Sequence, residues 1–276
     1  MKAGDVPWAR LLSEASERVQ SLVSAISVGG DRARVVGTGA SGDKTLLADR
    51  LAEEELLRAL SAVDGLRVLS EEGGTGGDPR GRTVAVVDPL DGSANFERGI
   101  PFYCTSVAVV KGDSLGGVSF GLVRNLVSGD VYWAEKGKGA TKNGKRIHTS
   151  RAPSLSESVV DIDMSRVEPA LVVGLASLVS SVSRQVHYGA NALELCFLAE
   201  GRFDAFVDLR GRMRITDFAA AYLIAKEAGA AVTDASGSAL KPVLDLGRGF
   251  SFVASANRRL HDKILELCRE AAGRRG

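Results

Sequence analysis

Apolar and polar positions change rhythm repeatedly along the 276-residue chain, and each rhythm predicts an element. From Trp8 to Ile26 the apolar residues Leu11, Leu12, Ala15, Val19, Leu22, Val23 and Ile26 recur at helical spacing, and Gly29-Gly30 supplies a stop. Thr45 to Val63 reads as a second helix closed by Asp64-Gly65. A short strand, Leu66 to Leu69, ends in Ser70-Glu71-Glu72, and the glycine-rich GGTGGDPRG after it reads as a loop. Thr83 to Val87 is the next strand, which Pro89 should stop because proline has no ladder N–H. Thr105 to Lys111, Gly117 to Val123 and Asp130 to Glu135 read as sheet divided by Gly-Asp and Ser-Gly-Asp turns.

The second half alternates differently. Val159 to Met164, Ala205 to Leu209, Ala231 to Asp234 and Phe250 to Ala254 read as strands. Glu168 to Val182, Asn191 to Glu200, Asp217 to Ala228 and Arg258 to Ala272 read as helices. Strands and helices therefore interleave on both sides of Ser150, without repeats or low-complexity linkers. That order predicts a layered α/β protein with an N-terminal half, 1–150, packed closely on a C-terminal half, 151–276.

Composition narrows the class. A formal net charge of +1 gives no reason to expect nucleic acid or an anionic membrane as partner. Runs such as Val107 to Val110 or Phe218 to Ala225 are too short to span a bilayer, and the N-terminus has no apolar signal segment. A cytoplasmic protein is the expectation. Cys104, Cys196 and Cys268 are far apart in apolar surroundings, which predicts buried free thiols. The basic stretch Lys136 to Lys145 has one aromatic pair nearby, Tyr132-Trp133, and reads as a solvated turn.

The chemistry concentrates in VVDPLDGSANF, Val86 to Phe96. Asp88 ends a strand, Asp91 projects from the turn, and Gly92 lets a ligand approach the backbone. Ser93 and the residues after it can start a helix whose free N–H groups suit a phosphate. Carboxylates beside a phosphate repel it unless a divalent cation lies between, and an oxygen-only set favours a hard ion such as Mg²⁺. Glu71-Glu72, Asp43, Asp49 and Asp217 also stand at the ends of predicted elements, where helix capping is the ordinary alternative.

The stretches SEE (70–72), DPLDGSANF (88–96), GKGATKNGKRI (137–147) and ITDFAAAYLIAKEAGA (215–230), in this order, resemble the signatures of the inositol monophosphatase and fructose-1,6-bisphosphatase superfamily. The likeness covers nearly the whole chain and is nearest to the archaeal dual-activity group. It implies the sugar-phosphatase fold, an α/β sandwich layered α-β-α-β-α. It also implies a Mg²⁺-dependent phosphomonoesterase, with two or three ions per site and Mn²⁺ able to substitute. One metal would be held by Glu71, Asp88 and the Leu90 carbonyl, a second by Asp88, Asp91 and Asp217, and a third with help from Asp43 in the loop 37–43. Ser93, with Asp49 or Glu71, would order the attacking water, and Gly92, Ser93 and Ala94 would cradle the phosphate. A homodimer or homotetramer acting on a small sugar or polyol phosphate is the implied assembly and partner.

Substrate choice falls to the second half. Arg210, seven residues before Asp217, stands where inositol-specific relatives carry glutamate, and a guanidinium suits a second phosphate. Its ordinary alternative is an exposed arginine in a basic turn with Arg212 and Arg214. Relatives also place a basic residue where this chain has Val186, so Arg184 or His187 would have to compensate, or His187 is structural. Asn191 either bonds a substrate hydroxyl or caps a helix. These residues point to the 1-phosphate of fructose 1,6-bisphosphate as the target, with inositol 1-phosphate second. A dedicated inositol monophosphatase, a 3′-phosphoadenosine 5′-phosphate phosphatase and a transcription-accessory binding protein are the rivals.

Overall fold

A computed structural model describes residues 1–40, 42–151, 154–240 and 243–273, with only the backbone described from 270 onward. The chain opens with α1 (Trp8–Gly29), ended by Gly30 in the left-handed conformation at φ 86°. A small ribbon, β1 (Val35–Thr38) and β2 (Lys44–Leu46), leads into α2 (Leu47–Leu60). Next come β3 (Leu66–Ser70), β4 (Gly74–Gly77), β5 (Thr83–Asp91) and the one-and-a-half-turn α3 (Ser93–Arg98). A meander follows: β6 (Cys104–Lys111), β7 (Val118–Asn125), β8 (Val131–Glu135), β9 (Ala140–Lys142) and β10 (Lys145–Arg146). The second half runs β11 (Val159–Ile162), α4 (Pro169–Ser181), β12 (Arg184–Val186), α5 (Asn191–Ala199) and β13 (Ala205–Met213). It closes with α6 (Ile215–Glu227), β14 (Ala231–Asp234), β15 (Phe250–Ser255) and α7 (Arg258–Gly273).

Two sheets result. One has eight strands in the order β10-β9-β8-β7-β6-β5-β3-β4, and the other five in the order β12-β11-β13-β15-β14. Side-chain alternation along the strands assigns the layers. On β5, Val84 and Val86 face α5 and α6, whereas Ala85 and Val87 face α1 and α2. On β13, Phe206 joins the central core while Ala205 and Val207 pack towards α4 and α7. The helices α5 and α6 thus lie between the sheets, buried on nearly every side, which is why α6 shows little helical amphipathicity. The order is α-β-α-β-α, as expected.

Local expectations fail in four places. GGTGGDPRG is not all loop: Gly74 to Gly77 pairs antiparallel with β3 as the sheet's edge strand. Glycine is required there by proximity, since a Cβ on Gly77 would lie 2.3 Å from the Leu66 carbonyl oxygen. Pro89 does not end β5, because the ladder with β6 shifts register between Asp88 and Asp91 and the proline sits inside that bulge. Thr45 belongs to β2 rather than to a helix. Arg184 to Val186 forms β12, a three-residue edge strand too short to show alternation.

All three cysteines are free and buried. Among the described residues no helix is long and apolar enough to cross a membrane.

Candidate active site

The bulge in β5 aims two carboxylates in different directions. Asp88 is fully buried; its Oδ1 accepts the Leu90 N–H at 3.1 Å, and its carbonyl accepts the Thr105 hydroxyl at 3.3 Å. Asp91 Oδ2 accepts the Ala192 N–H at 2.7 Å and the Cys104 thiol at 3.5 Å, which ties the first sheet to the start of α5. Gly92 follows at φ 87°. Its absent Cβ would lie 3.0 Å from both Ala190 Cβ and the Phe102 carbonyl, so side chains are excluded on two grounds. Asn95 spans the same seam, donating to the carbonyls of Phe102 (2.8 Å) and Tyr188 (2.6 Å). The first-turn N–H groups of Ser93 and Ala94 have no intrahelical acceptor and are available to a ligand.

Glu71, directly after β3, and Asp217, in the first turn of α6, converge on Asp88. One oxygen from each of the three lies within 4.8 Å of the others. Burial, then repulsion from neighbouring acids, pushes the Glu71, Asp88 and Asp91 carboxyls well above their ordinary range. Burial likewise raises Asp217, against the pull of Arg214. Among the described residues Arg214 is the sole cation in an ion pair with them, reaching Glu71, Asp43 at 3.1 Å and Asp217 at 3.4 Å. One guanidinium cannot neutralise four buried acids, and every donor here is oxygen. This set fits divalent cations.

Asp49 and Asp217 both cap their helices: the Leu46 N–H reaches Asp49 Oδ2 at 2.7 Å, and the Arg214 N–H reaches Asp217 Oδ2 at 2.9 Å. Capping and site chemistry are therefore combined rather than exclusive. Burial lifts Asp49 to a pKa of about 7. Glu72 is half-buried and accepts the Thr45 hydroxyl, and its carbonyl accepts the Ala40 N–H at 2.9 Å. It thereby anchors the 37–43 loop beside the acids. Within that loop, Ser41 lies outside the described residues.

Beside the acids opens a cleft of about 770 Å³ whose lining includes Asp217, Asp43, Asn191, His187 and Arg210. The structure treats the predicted substrate contacts unequally. Asn191 is the first residue of α5 and does not cap it; its buried Oδ1 has no partner. Arg184 is exposed on the outer edge of β12 and does not line the cleft.

His187 and Arg210 do line it, but both face inward to acids. His187 Nδ1 lies 3.1 Å from Asp161 and 3.2 Å from Glu194, and Nε2 lies 3.3 Å from Asp163. Burial opposes charge on this ring, yet the hydrogen bonds to Asp161 and Glu194 push its pKa up to about 11. Arg210 spends Nε on Asp208, Nη2 on Asp208 (2.7 Å) and Asp163, and Nη1 on the Ser165 hydroxyl (2.7 Å) and carbonyl (3.4 Å).

A family model described as the inositol monophosphatase family matches residues 9–272. The chain belongs to the inositol monophosphatase family. It is 36% identical to the fructose-1,6-bisphosphatase/inositol-1-monophosphatase of Methanothermobacter thermautotrophicus, across 94% of this chain and 95% of that protein. The same enzyme of Archaeoglobus fulgidus is 39% identical, across 86% and 88%. A solved inositol monophosphatase–fructose 1,6-bisphosphatase superposes with a TM-score of 0.84 at 30% identity, covering 95% of this chain and all of that one. Membership fixes the chemistry as metal-dependent hydrolysis of phosphoric monoesters.

Sequence reading missed the role of Arg214, set aside as a basic turn, and the four acids Asp161, Asp163, Glu194 and Asp208. One signal was present. Aspartates interrupt the apolar runs VVDIDM and AFVDL, and a charge inside a buried strand needs a partner.

Proposed function

We propose that this member of the family removes the 1-phosphate of fructose 1,6-bisphosphate with the help of Mg²⁺, and hydrolyses inositol 1-phosphate as a second substrate. The observation that carries the reading is the convergence of Glu71, Asp88 and Asp217, with Asp91 on the same bulge, beside a cleft lined by arginines. The names of the archaeal relatives support the substrate pair.

Bound divalent metal supplies Lewis acidity and lowers the pKa of the attacking water. The chain's own groups do the rest. Glu71, Asp88, Asp91, Asp217 and the Leu90 carbonyl hold the ions in place, with Asp43 contributing to a third. The amides of Gly92, Ser93 and Ala94 grip the phosphate oxygens. The Ser93 hydroxyl, with Asp49 or Glu71, orients the attacking water, and burial holds Asp49 near neutrality. Asn191 offers its unpartnered Oδ1 to a substrate hydroxyl.

Phosphate release from fructose 1,6-bisphosphate and inositol 1-phosphate, measured side by side across Mg²⁺ concentrations, tests the reading. Faster hydrolysis of the bisphosphate is expected, and preference for the inositol ester would overturn the substrate choice. For its setting the matching proposal is a cytoplasmic homodimer or homotetramer serving gluconeogenesis, and it rests on the family resemblance alone. A monomer in sedimentation at micromolar concentration would sink the assembly.

A further inference from the structure

Five guanidinia line the cleft: Arg166, Arg210, Arg212, Arg214 and Arg248. Their availability differs sharply. A guanidinium has five N–H donors, and Arg210 has an acceptor within the protein for each of them. It keeps no open fork for a phosphate. Arg214 is tied to Asp43, Glu71 and Asp217. Arg166, Arg212 and Arg248 are exposed, and among the described residues none of them is in an ion pair.

Arg212 and Arg248 are held together by backbone packing. The ladder between β13 and β15 breaks register between Asp208 and Met213, so Leu209 to Arg212 bulge out of the sheet. Gly211, at φ 68°, gives its N–H to the Ser251 hydroxyl at 2.7 Å and fixes the bulge. The loop Leu246–Gly249 lies against it so closely that a Cβ on Gly249 would sit 2.0 Å from the Gly211 carbonyl oxygen and 3.0 Å from Arg212 Cα. Arg248, next to that contact, stacks its guanidinium over Phe250 at 5.5 Å, which leaves its edge donors unspent.

We infer that Arg212 and Arg248 hold the second, distal phosphate of a bisphosphate substrate, and that Arg210 is a positioning residue that shapes the bulge carrying them. The inference rests on the phosphomonoesterase reading above. Its chemistry is complementary along the cleft. The floor offers acids that need cations, and the rim offers uncompensated cations that need a dianion. A substrate with a phosphate at each end satisfies both, and a monophosphate satisfies only the floor.

The test compares wild type with Arg212→Gln, Arg248→Gln, the double variant and Arg210→Gln, each assayed with fructose 1,6-bisphosphate and inositol 1-phosphate at saturating Mg²⁺. Losing a charge-assisted contact should raise KM for the bisphosphate about tenfold per single variant, and further in the double variant. Its kcat should hold, and the ratio of kcat/KM between bisphosphate and monophosphate should fall accordingly. Arg210→Gln should lower kcat/KM for both substrates together, with a drop in Tm. A ratio that stays within about twofold of wild type in the double variant would overturn the inference, taking tenfold as one contact's worth. So would a selective bisphosphate defect confined to Arg210→Gln. The two readings fail separately: a wild type that prefers inositol 1-phosphate refutes the substrate choice, while the shift in ratio between variants still decides the role of the rim.

Discussion

Two buried acid clusters lie along one cleft and differ in where their cations come from. Glu71, Asp88, Asp91 and Asp217 share a single guanidinium, Arg214. Asp161, Asp163, Glu194 and Asp208 enclose two cations, His187 and Arg210. In the second cluster burial, then the Glu194 carboxylate, raises Asp161, and two internal cations balance part of the acidic charge. In the first cluster the chain itself supplies no such balance. Crowded carboxylates therefore have two physical outcomes. Where internal cations meet them they suit a scaffold, and where they are left short they suit external cations. The scaffold cluster still serves the site, because Glu194 accepts the N–H groups of Tyr188 and Gly189 and so fixes the turn that packs against Gly92.

The largest effect should come from Asp88→Asn, which removes charge from the under-compensated cluster without changing volume. Turnover should fall about 10³-fold or more, equivalent to ~4 kcal/mol of transition-state stabilisation. In metal-free buffer the variant should melt higher than wild type, because burial and repulsion of that charge disappear. Retained turnover would remove Asp88 from the chemistry.

His187→Ala should have the opposite character. Three acids lose their shared cation, so the fold should lose about 3 kcal/mol, read from urea midpoints. The pH dependence sharpens this. His187 has a folded pKa of about 11 against an ordinary 6.5, so its contribution is complete below pH 6.5 and is lost as pH rises through 11. Wild-type stability should therefore decline from neutral pH upward by as much as about 1.4 kcal/mol per unit, and the slope should flatten in the variant. An unchanged slope would show that the ring is not the cation of this cluster.

The smallest effect expected is in Arg214→Gln. Arginine and divalent metal compete for the same oxygens, so removing Arg214 should enlarge the Mg²⁺-induced rise in Tm, by an amount near 1 kcal/mol. A smaller rise than in wild type would mean that Arg214 assists metal binding rather than competing with it.

The layer order and most elements were legible because helical and strand periodicity is local. Leu11 to Ile26 and the alternation along Thr105 to Lys111 need no distant partner to be read. Elements that depended on a neighbour were not legible: the glycine edge strand β4 exists only because β3 pairs with it, and β5 passes Pro89 only because β6 accommodates the bulge. The same division runs through the site. The sequence by itself determined that Glu71, Asp91 and Asp217 stand at the ends of elements and that Asp88 stands beside a proline, since the motifs and the turn residues around them are contiguous. Only the tertiary structure decided which arginine is available. Arg210 and Arg212 are two residues apart in one basic stretch, yet Asp163 and Ser165 from the loop after β11 take the donors that Asp208 leaves open on the first, and among the described residues the second is in no ion pair. Whether a donor is spent depends on side chains that meet it from elsewhere in the chain, and no local pattern records that.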